Sequence, residues 1–343
     1  MRVAVFNGPD KPITIEHVAD PEPGPNDLVM QICRCGLCGS DISMTSEGYA
    51  TYPAGMRLGH EYAGEVVAIG REVSGIKLGA RVACRPFHGC GQCDACRSGH
   101  PVFCAAVQSL MGGFAEYIAV PATATVSLPQ TLSLSDGALV EPMACGLHAL
   151  RMARMQAGAR ILILGAGSMA LSIVYWARRL GAGTIIVLSR SSHRDDVVLA
   201  MGADGVHRFD ADDLEPLMEA LGGPPDIVAE CIGKAGMLNK AIDHVRPQGT
   251  VVSMGMCQQS EPIVGVRCTF KELRLFFPLG YSIAEFAETA DAFDSGHVRP
   301  EIMVSDVIPL DGLPAAIENL RSGRKSLKIH VDPHGATHSH DSV

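Results

Sequence analysis

Residues 161–170 read ILILGAGSMA. Four apolar residues run without alternation into Gly165, the pattern of a strand buried on both faces of a parallel sheet. Gly165, Gly167 and Ala170 then fall in a G-x-G-x-x-A spacing. The first glycine makes a tight turn, the second lets a pyrophosphate approach the backbone, and the small third residue lets helix and strand pack closely. Ser168 and Met169 open the helix, whose terminal amides hold phosphate charge. A plain tight turn would also use glycine, so the surroundings decide. Strand-like TIIVLS, DIVAECIG and GTVVSMGM alternate with helix-like SMALSIVYWARRLGA, HRDDVVLAMGA and AGMLNKAIDHV. That alternation predicts an α/β, doubly wound parallel sheet from about residue 145 and makes the glycine turn a dinucleotide site.

The end of the second strand selects the cofactor. In TIIVLSRSSHR the position about 20 residues on, where Asp or Glu would hold the ribose hydroxyls, carries Ser189, followed by Arg190 and Arg194. A carboxylate there repels a 2′-phosphate, whereas a hydroxyl and guanidinium groups bind it. NADP is therefore expected over NAD; the competing reading makes both arginines solvated surface charge. Cys231 in DIVAECIG and Leu279 in FPLGY complete the expected cofactor contacts.

Outside this region the texture changes. Roughly residues 1–130 hold short β-rich runs such as LVMQI and YAGEVVAIG, broken at PEPGPNDL and SGIKLGARV, which predict a β-rich, barrel-like unit. Beyond 281 come a helical pattern, IAEFAETADAFDSG, and the strand-like LKIHVDP; the closing HGATHSHDSV is expected to fray. With 343 residues, 47% of them hydrophobic, the chain is long enough for two domains. A net charge of −9 with scattered Lys and Arg argues against a nucleic-acid partner. No apolar stretch approaches the roughly 18 residues of a membrane span, and MRVAVFNGPD lacks the layout of a signal peptide. A cytoplasmic protein is expected, and in that compartment clustered cysteines are metal ligands or redox thiols before they are disulfides.

CGQCDACRSGHPVFC places Cys90, Cys93, Cys96 and Cys104 within fifteen positions. Four thiolates fill the tetrahedral shell of Zn²⁺ and leave no position for water or substrate, so this site is read as structural. CxxC alone also fits a dithiol switch. Reactive chemistry therefore has to lie elsewhere. CGLCGSD offers Cys38, Ser40 and Asp41; RLGHEYAGEVV offers His60 and Glu61; LVEPMACGLHAL offers Glu141. One thiolate, one imidazole and one carboxylate leave a fourth position open, as a catalytic zinc requires.

In the order CGSD, GHE, CGQCDACRSGHPVFC, GGFAEY, EP, GAGSMA, the chain resembles the zinc-dependent medium-chain dehydrogenase/reductase superfamily, above all its threonine, sorbitol and butanediol dehydrogenase-like branch, over about residues 1–333. The resemblance implies a GroES-like catalytic domain from residues 1–143 and 281–343, a Rossmann domain at 144–280, and an active-site cleft between the two. It implies two zinc ions per chain. Cys38 and His60 match catalytic-zinc ligands, Glu61 a residue that ligates or lies just behind, and Glu141 the remaining ligand, direct or through water; which glutamate fills the shell stays open. Ser40 resembles the hydroxyl that takes the alcohol proton. Relatives often carry a histidine five residues after the ligand cysteine, to relay that proton outward; this chain has Ser43. Relatives form homodimers or homotetramers.

The expected activity is hydride transfer between an alcohol or ketone and NAD(P), with NADP favoured. Tyr49, Phe87, Met111, Phe114 and Leu279 offer a mainly apolar pocket lining suited to a secondary alcohol, with ordinary core packing as the equal alternative for each. Two alternatives remain: a zinc-independent reductase of activated double bonds, and a non-catalytic nucleotide sensor of the same fold.

Overall fold

The apolar run before Gly165 forms the strand Arg160–Leu164 at the centre of a six-stranded sheet. In the computed structural model, which describes residues 1–9, 11–48, 50–209, 214–294, 299–324 and 326–335, the chain divides into Met1–Glu141 with Ser282–Val343, and Pro142–Tyr281. Tyr49 and the tail from 336 lie outside the described residues.

The unit Pro142–Tyr281 orders its strands Gly205–Arg208, Thr184–Ser189, Arg160–Leu164, Ile227–Glu230, Thr250–Ser253 and Arg274–Phe276, all parallel. The chain lays down two strands on one side of Arg160–Leu164 and then three on the other. Strand order therefore reverses beside the first strand, the switch point at which open α/β sheets take their ligands. Ile161 to Leu164 are fully buried, as strands covered on both faces must be. Leu162, Leu164, Ile186 and Val228 pack against Leu217 and Leu221 of the helix Leu214–Leu221 and against Ala241 and Ile242 of the helix Met237–His244.

The other unit centres on the ten-residue strand Asp27–Gly36, which pairs with Glu61–Ile69 along one edge. Tyr117–Pro121 and then Lys328–Asp332 pair with it too, both antiparallel. Val304–Pro309 adds a parallel strand beyond Lys328–Asp332. The last part of the chain thus supplies strands to the first, and Leu313, Ile317, Ile329 and Val331 belong to the same core as Phe6, Leu28 and Tyr62.

The helix Leu134–Met152 is absent from the sequence-based expectations, because Pro142 and two glycines interrupt its periodicity. Pro142 lacks the N–H of a regular turn. Ser172 Oγ donates to the Pro142 carbonyl at 3.2 Å and Trp176 Nε1 to that of Met143 at 2.8 Å, anchoring the interrupted stretch. Among the described residues no helix is long and apolar enough to cross a membrane.

Candidate active site

The loop at 90–104 draws its four cysteines into one cluster, with the sulfurs all within 4.8 Å of one another. Cys93 caps the short helix Asp94–Arg97, which carries Cys96, and a turn at Pro101–Phe103 returns the chain to Cys104. Backbone N–H groups of Gln92, Cys90 and Ala106 point at Cys90 and Cys104 sulfurs at 3.5, 3.4 and 3.3 Å. The amides of Gln92 and Cys93, with hydrogen bonds from the Cys104 and Cys93 thiols, pull the Cys90 thiol down to about 6, while burial pushes Cys96 up to about 11. Four sulfurs this close cannot all ionise without a cation between them. The donor set and its amide lining fit Zn²⁺.

The second cluster is assembled from separate stretches. Cys38 closes the loop after Asp27–Gly36, and its N–H donates to Asp41 Oδ2 at 3.0 Å in the one-turn helix Gly39–Ser43. His60 precedes the strand Glu61–Ile69. One donor atom each from Cys38, His60 and Glu61 lies within 4.8 Å of the others. His60 Nδ1 is 3.5 Å from Asp41 Oδ1, and neither buried atom has a hydrogen-bond partner. Asp41 therefore faces the back of the ring and leaves Nε2 directed forward, 3.4 Å from Ser40 Oγ. Burial alone would lower the His60 pKa, but Asp41 and Cys38 outweigh it and raise it well above the usual imidazole range. The same negative field that attracts a proton attracts a divalent cation, so these residues fit a metal.

Glu61 is fully buried, and both its oxygens accept hydrogen bonds from Lys328 Nζ, at 2.8 and 2.7 Å. Lys328 is also buried, and donates to the Leu37 carbonyl at 3.3 Å. Burial opposes its charge, but Glu61 and Cys38 outweigh that and raise its pKa. Gly36 makes room for this pair. A Cβ there would stand 2.1 Å from Glu61 Oε2. Glu141, buried on the helix Leu134–Met152, adds to the field on Lys328 but is not part of the three-donor cluster. Lys328 was invisible to sequence reading, being a lone cation 267 positions from its partner. Tyr52 was also missed. Burial raises its phenol, which is hydrogen-bonded to Ser40. Phe114 is fully buried in the core of this unit, with Phe6 and Tyr62, so it packs the interior and does not line a pocket; Phe87 is buried as well.

At the carboxyl edge of the parallel sheet, Gly165 turns with φ +105°, a left-handed conformation, and a Cβ there would lie 2.9 Å from Ile232. A Cβ at Gly167 would meet nothing within 4 Å, so the turn has an open side for a pyrophosphate. Ser168 and Met169 begin the helix Ser168–Arg179, and Ala170 is buried against the sheet. Ser189 ends its strand buried and donates to the Ser191 carbonyl at 3.1 Å; Arg190 is exposed. Arg194 reaches back to the Ala166 carbonyl at 3.0 Å, over the glycine turn. Arg208, which sequence reading missed, is the register partner of Ser189, donates to the Ser191 carbonyl at 3.2 Å and pairs with Asp195. Cys231 follows the fourth strand, with its N–H on the Leu164 carbonyl and its thiol pushed up by burial and by Glu230. Leu279 stands 57% exposed beyond the last strand.

Comparison with known proteins supplies the family. Sequence profiles match at residues 24–130, for the alcohol dehydrogenase GroES-like domain, and at 165–295, for zinc-binding dehydrogenase. The chain is 30% identical to sorbitol dehydrogenase of Bacillus subtilis (strain 168), across 97% of each sequence. It belongs to the zinc-dependent medium-chain dehydrogenase/reductase superfamily. Among solved structures, this dehydrogenase is similar to a candidate zinc-binding dehydrogenase from Sinorhizobium meliloti 1021 bound to NADP (TM-score 0.88, 31% identity, 97% of this chain and 99% of that one). It is similar also to 2R,3R-butanediol dehydrogenase from Bacillus subtilis (TM-score 0.86, 27% identity, the same coverage). The GroES-like and Rossmann architecture expected from the motifs is thereby established, and so is the reaction class: an NAD(P)-dependent oxidoreductase acting on CH–OH groups, with zinc in its family chemistry.

Proposed function

We propose that this dehydrogenase interconverts a secondary alcohol or polyol and its ketone, with NADP preferred over NAD and two zinc ions per chain. The observation that carries this reading is the contrast in donor sets: a filled thiolate shell at 90–104, and a mixed cluster at Cys38, His60 and Glu61 whose carboxylate is already engaged by Lys328. Glu61 is read as the group just behind the metal and Glu141 as the remaining ligand, direct or through water. When bound, zinc supplies Lewis acidity toward an alcohol oxygen and the nicotinamide accepts hydride.

The chain's own residues do the rest. Asp41 Oδ1 stands 3.5 Å behind His60 Nδ1 and orients the ring by its charge. Ser40 Oγ, 3.4 Å from His60 Nε2, is read as the hydroxyl that takes the alcohol proton, with the Tyr52 hydroxyl beside it. Ser43 Oγ turns back onto the Ser40 carbonyl at 3.4 Å and does not stand in for the missing histidine. Ser189, Arg190 and Arg194 are proposed to hold the adenosine end, with the 2′-phosphate favoured by positive charge and by the lack of a carboxylate at 189. The NADP-bound relative supports this choice and the sorbitol and butanediol relatives support the substrate class. A homodimer or homotetramer is proposed, using exposed apolar residues such as Phe270 and Val266 near the edge strand Arg274–Phe276. Twelve free cysteines suit a reducing, cytoplasmic setting.

The test is a panel of secondary alcohols, polyols and ketones with NADP and with NAD, read at the absorbance of the reduced nicotinamide. Turnover with NADP that disappears in Cys38→Ala supports the reading. Zinc found only at the thiolate loop, with turnover surviving a Cys38→Ala/His60→Ala double variant, overturns it.

A further inference from the structure

The parallel sheet has a second end. Opposite the glycine turn, where Ile227, Thr250 and Arg274 begin their strands, lies a cavity of about 250 Å³. The strands are three to five residues long in this region, which puts it about 10–17 Å from the cofactor edge. The segment 153–159 forms one wall; Arg154, Asp226, Arg246, Thr250 and Arg274 supply its polar lining.

Charge in this lining is out of balance. Asp226 is its one carboxylate, and it is already engaged: Oδ2 accepts the Arg160 backbone N–H at 2.9 Å and Arg160 Nε at 3.3 Å, and Oδ1 accepts Arg246 Nε at 2.6 Å. Burial works to raise Asp226, but these bonds outweigh it and hold the carboxyl below its ordinary range, so Asp226 stays ionised and matched. No second acid among the lining residues answers Arg154 and Arg274. Arg274 reaches the Gln248 carbonyl through Nη2 at 3.1 Å, a neutral acceptor that leaves its charge uncompensated. Thr250 is the independent sign of a missing partner. It is fully buried, and its Oγ1 has no hydrogen-bond partner although it lines the cavity. An unpaired buried hydroxyl is unfavourable, a penalty that a ligand oxygen would remove.

We propose that this cavity is a second anion site, distinct from the nucleotide edge, which takes a phosphoryl group between Arg154, Arg246 and Arg274 with Thr250 Oγ1 as a further contact. Guanidinium groups favour the planar, two-pronged contacts that phosphate oxygens offer. The volume exceeds what a bare four-oxygen anion needs and approaches the roughly 300 Å³ of small ligand pockets, which favours the phosphate monoester of a small metabolite.

The experiment is calorimetric titration of zinc-replete protein, saturated beforehand with NADP so that phosphate cannot be read at the nucleotide edge, with inorganic phosphate and with glucose 6-phosphate at constant ionic strength. One saturable site per chain is expected. Arg154→Ala/Arg274→Ala, at exposed positions and checked for folding by circular dichroism, should weaken it at least tenfold. Thr250→Val should weaken it severalfold, while leaving the thermal midpoint of ligand-free protein unchanged or raised, since an unpaired hydroxyl has gone. Tighter binding of the ester identifies it as the occupant; equal or tighter phosphate binding identifies the free anion. Absence of saturable heat from both probes, unchanged affinity in the double variant, or full affinity in Thr250→Val overturns the site. Because binding is read directly, a dehydrogenase with a different substrate would leave the result standing.

Discussion

The loop at 90–104 gathers four sulfurs from fifteen consecutive residues, whereas the cluster of Cys38, His60 and Glu61 draws three kinds of donor from two stretches and braces them from behind. In the loop, backbone amides face the sulfurs and Cys90 is exposed. In the cluster, Asp41 stands behind His60 and a lysine from near the end of the chain stands behind Glu61. The loop needs only sequence proximity to form. The cluster needs the finished sheet. On the proposed reading the cluster keeps one coordination position open and cannot rely on its metal to hold every ligand, so buried charged neighbours share that work.

The sharpest way to break the comparison is to remove one sulfur from each site. Cys38→Ala should lower kcat/KM on the order of 10³-fold, with thermal stability nearly unchanged. Cys93→Ser should instead lower the melting midpoint and make folding dependent on added zinc; metal content with melting curves reads both, and identical behaviour would erase the distinction. Next in size is the brace. Lys328→Met strands a buried carboxylate and should cost about 3–5 kcal/mol in urea unfolding, most of it recovered in Glu61→Gln/Lys328→Met. Ser40→Ala should reduce kcat about a hundredfold, with Ser43→Ala close to wild type; the two rates side by side tell whether the relay starts at Ser40. Arg190→Ala should weaken NADP about tenfold, or about 1.4 kcal/mol, and leave NAD untouched in fluorescence titrations.

The last test is one of pH. Burial and the neighbouring Lys328 charge push the His330 imidazole down to about 3. An unfolded chain takes up that proton near pH 6.5, so between these values the unfolded state binds more protons than the folded one. Stability is therefore complete above about pH 6.5 and falls as pH drops toward 3, by at most about 1.4 kcal/mol per unit from this group. Denaturation midpoints at pH 7 and pH 5 should differ less in His330→Phe than in the parent protein.

Much of this was legible in the residues. The unbroken apolar run into Gly165 announced a parallel sheet, and TIIVLS became the strand Thr184–Ser189 with both bounds intact. Short-range motifs were readable because their partners lie within a few positions. What resisted reading was long-range or locally contradictory. The helix Leu134–Met152 carries a proline and is buried through much of its length, so it shows neither a clean period nor a polar face. Lys328, Tyr52 and Arg208 act through neighbours that only the folded chain provides. Phe114 was an apolar residue beside glycines, equally suited to pocket or core, and packing alone put it in the core.

The pairing of Glu61 with Lys328 also sets an order of events during biosynthesis. The ribosome adds the cation 267 residues after the anion, a delay on the order of tens of seconds at about 5–20 residues per second. Throughout that interval Glu61 has no cation of its own and the sheet lacks its closing strand, while the 140 residues of Pro142–Tyr281 emerge whole. A nascent chain halted before Lys328 would carry every sulfur and imidazole of both clusters and still be unable to shelter its carboxylate.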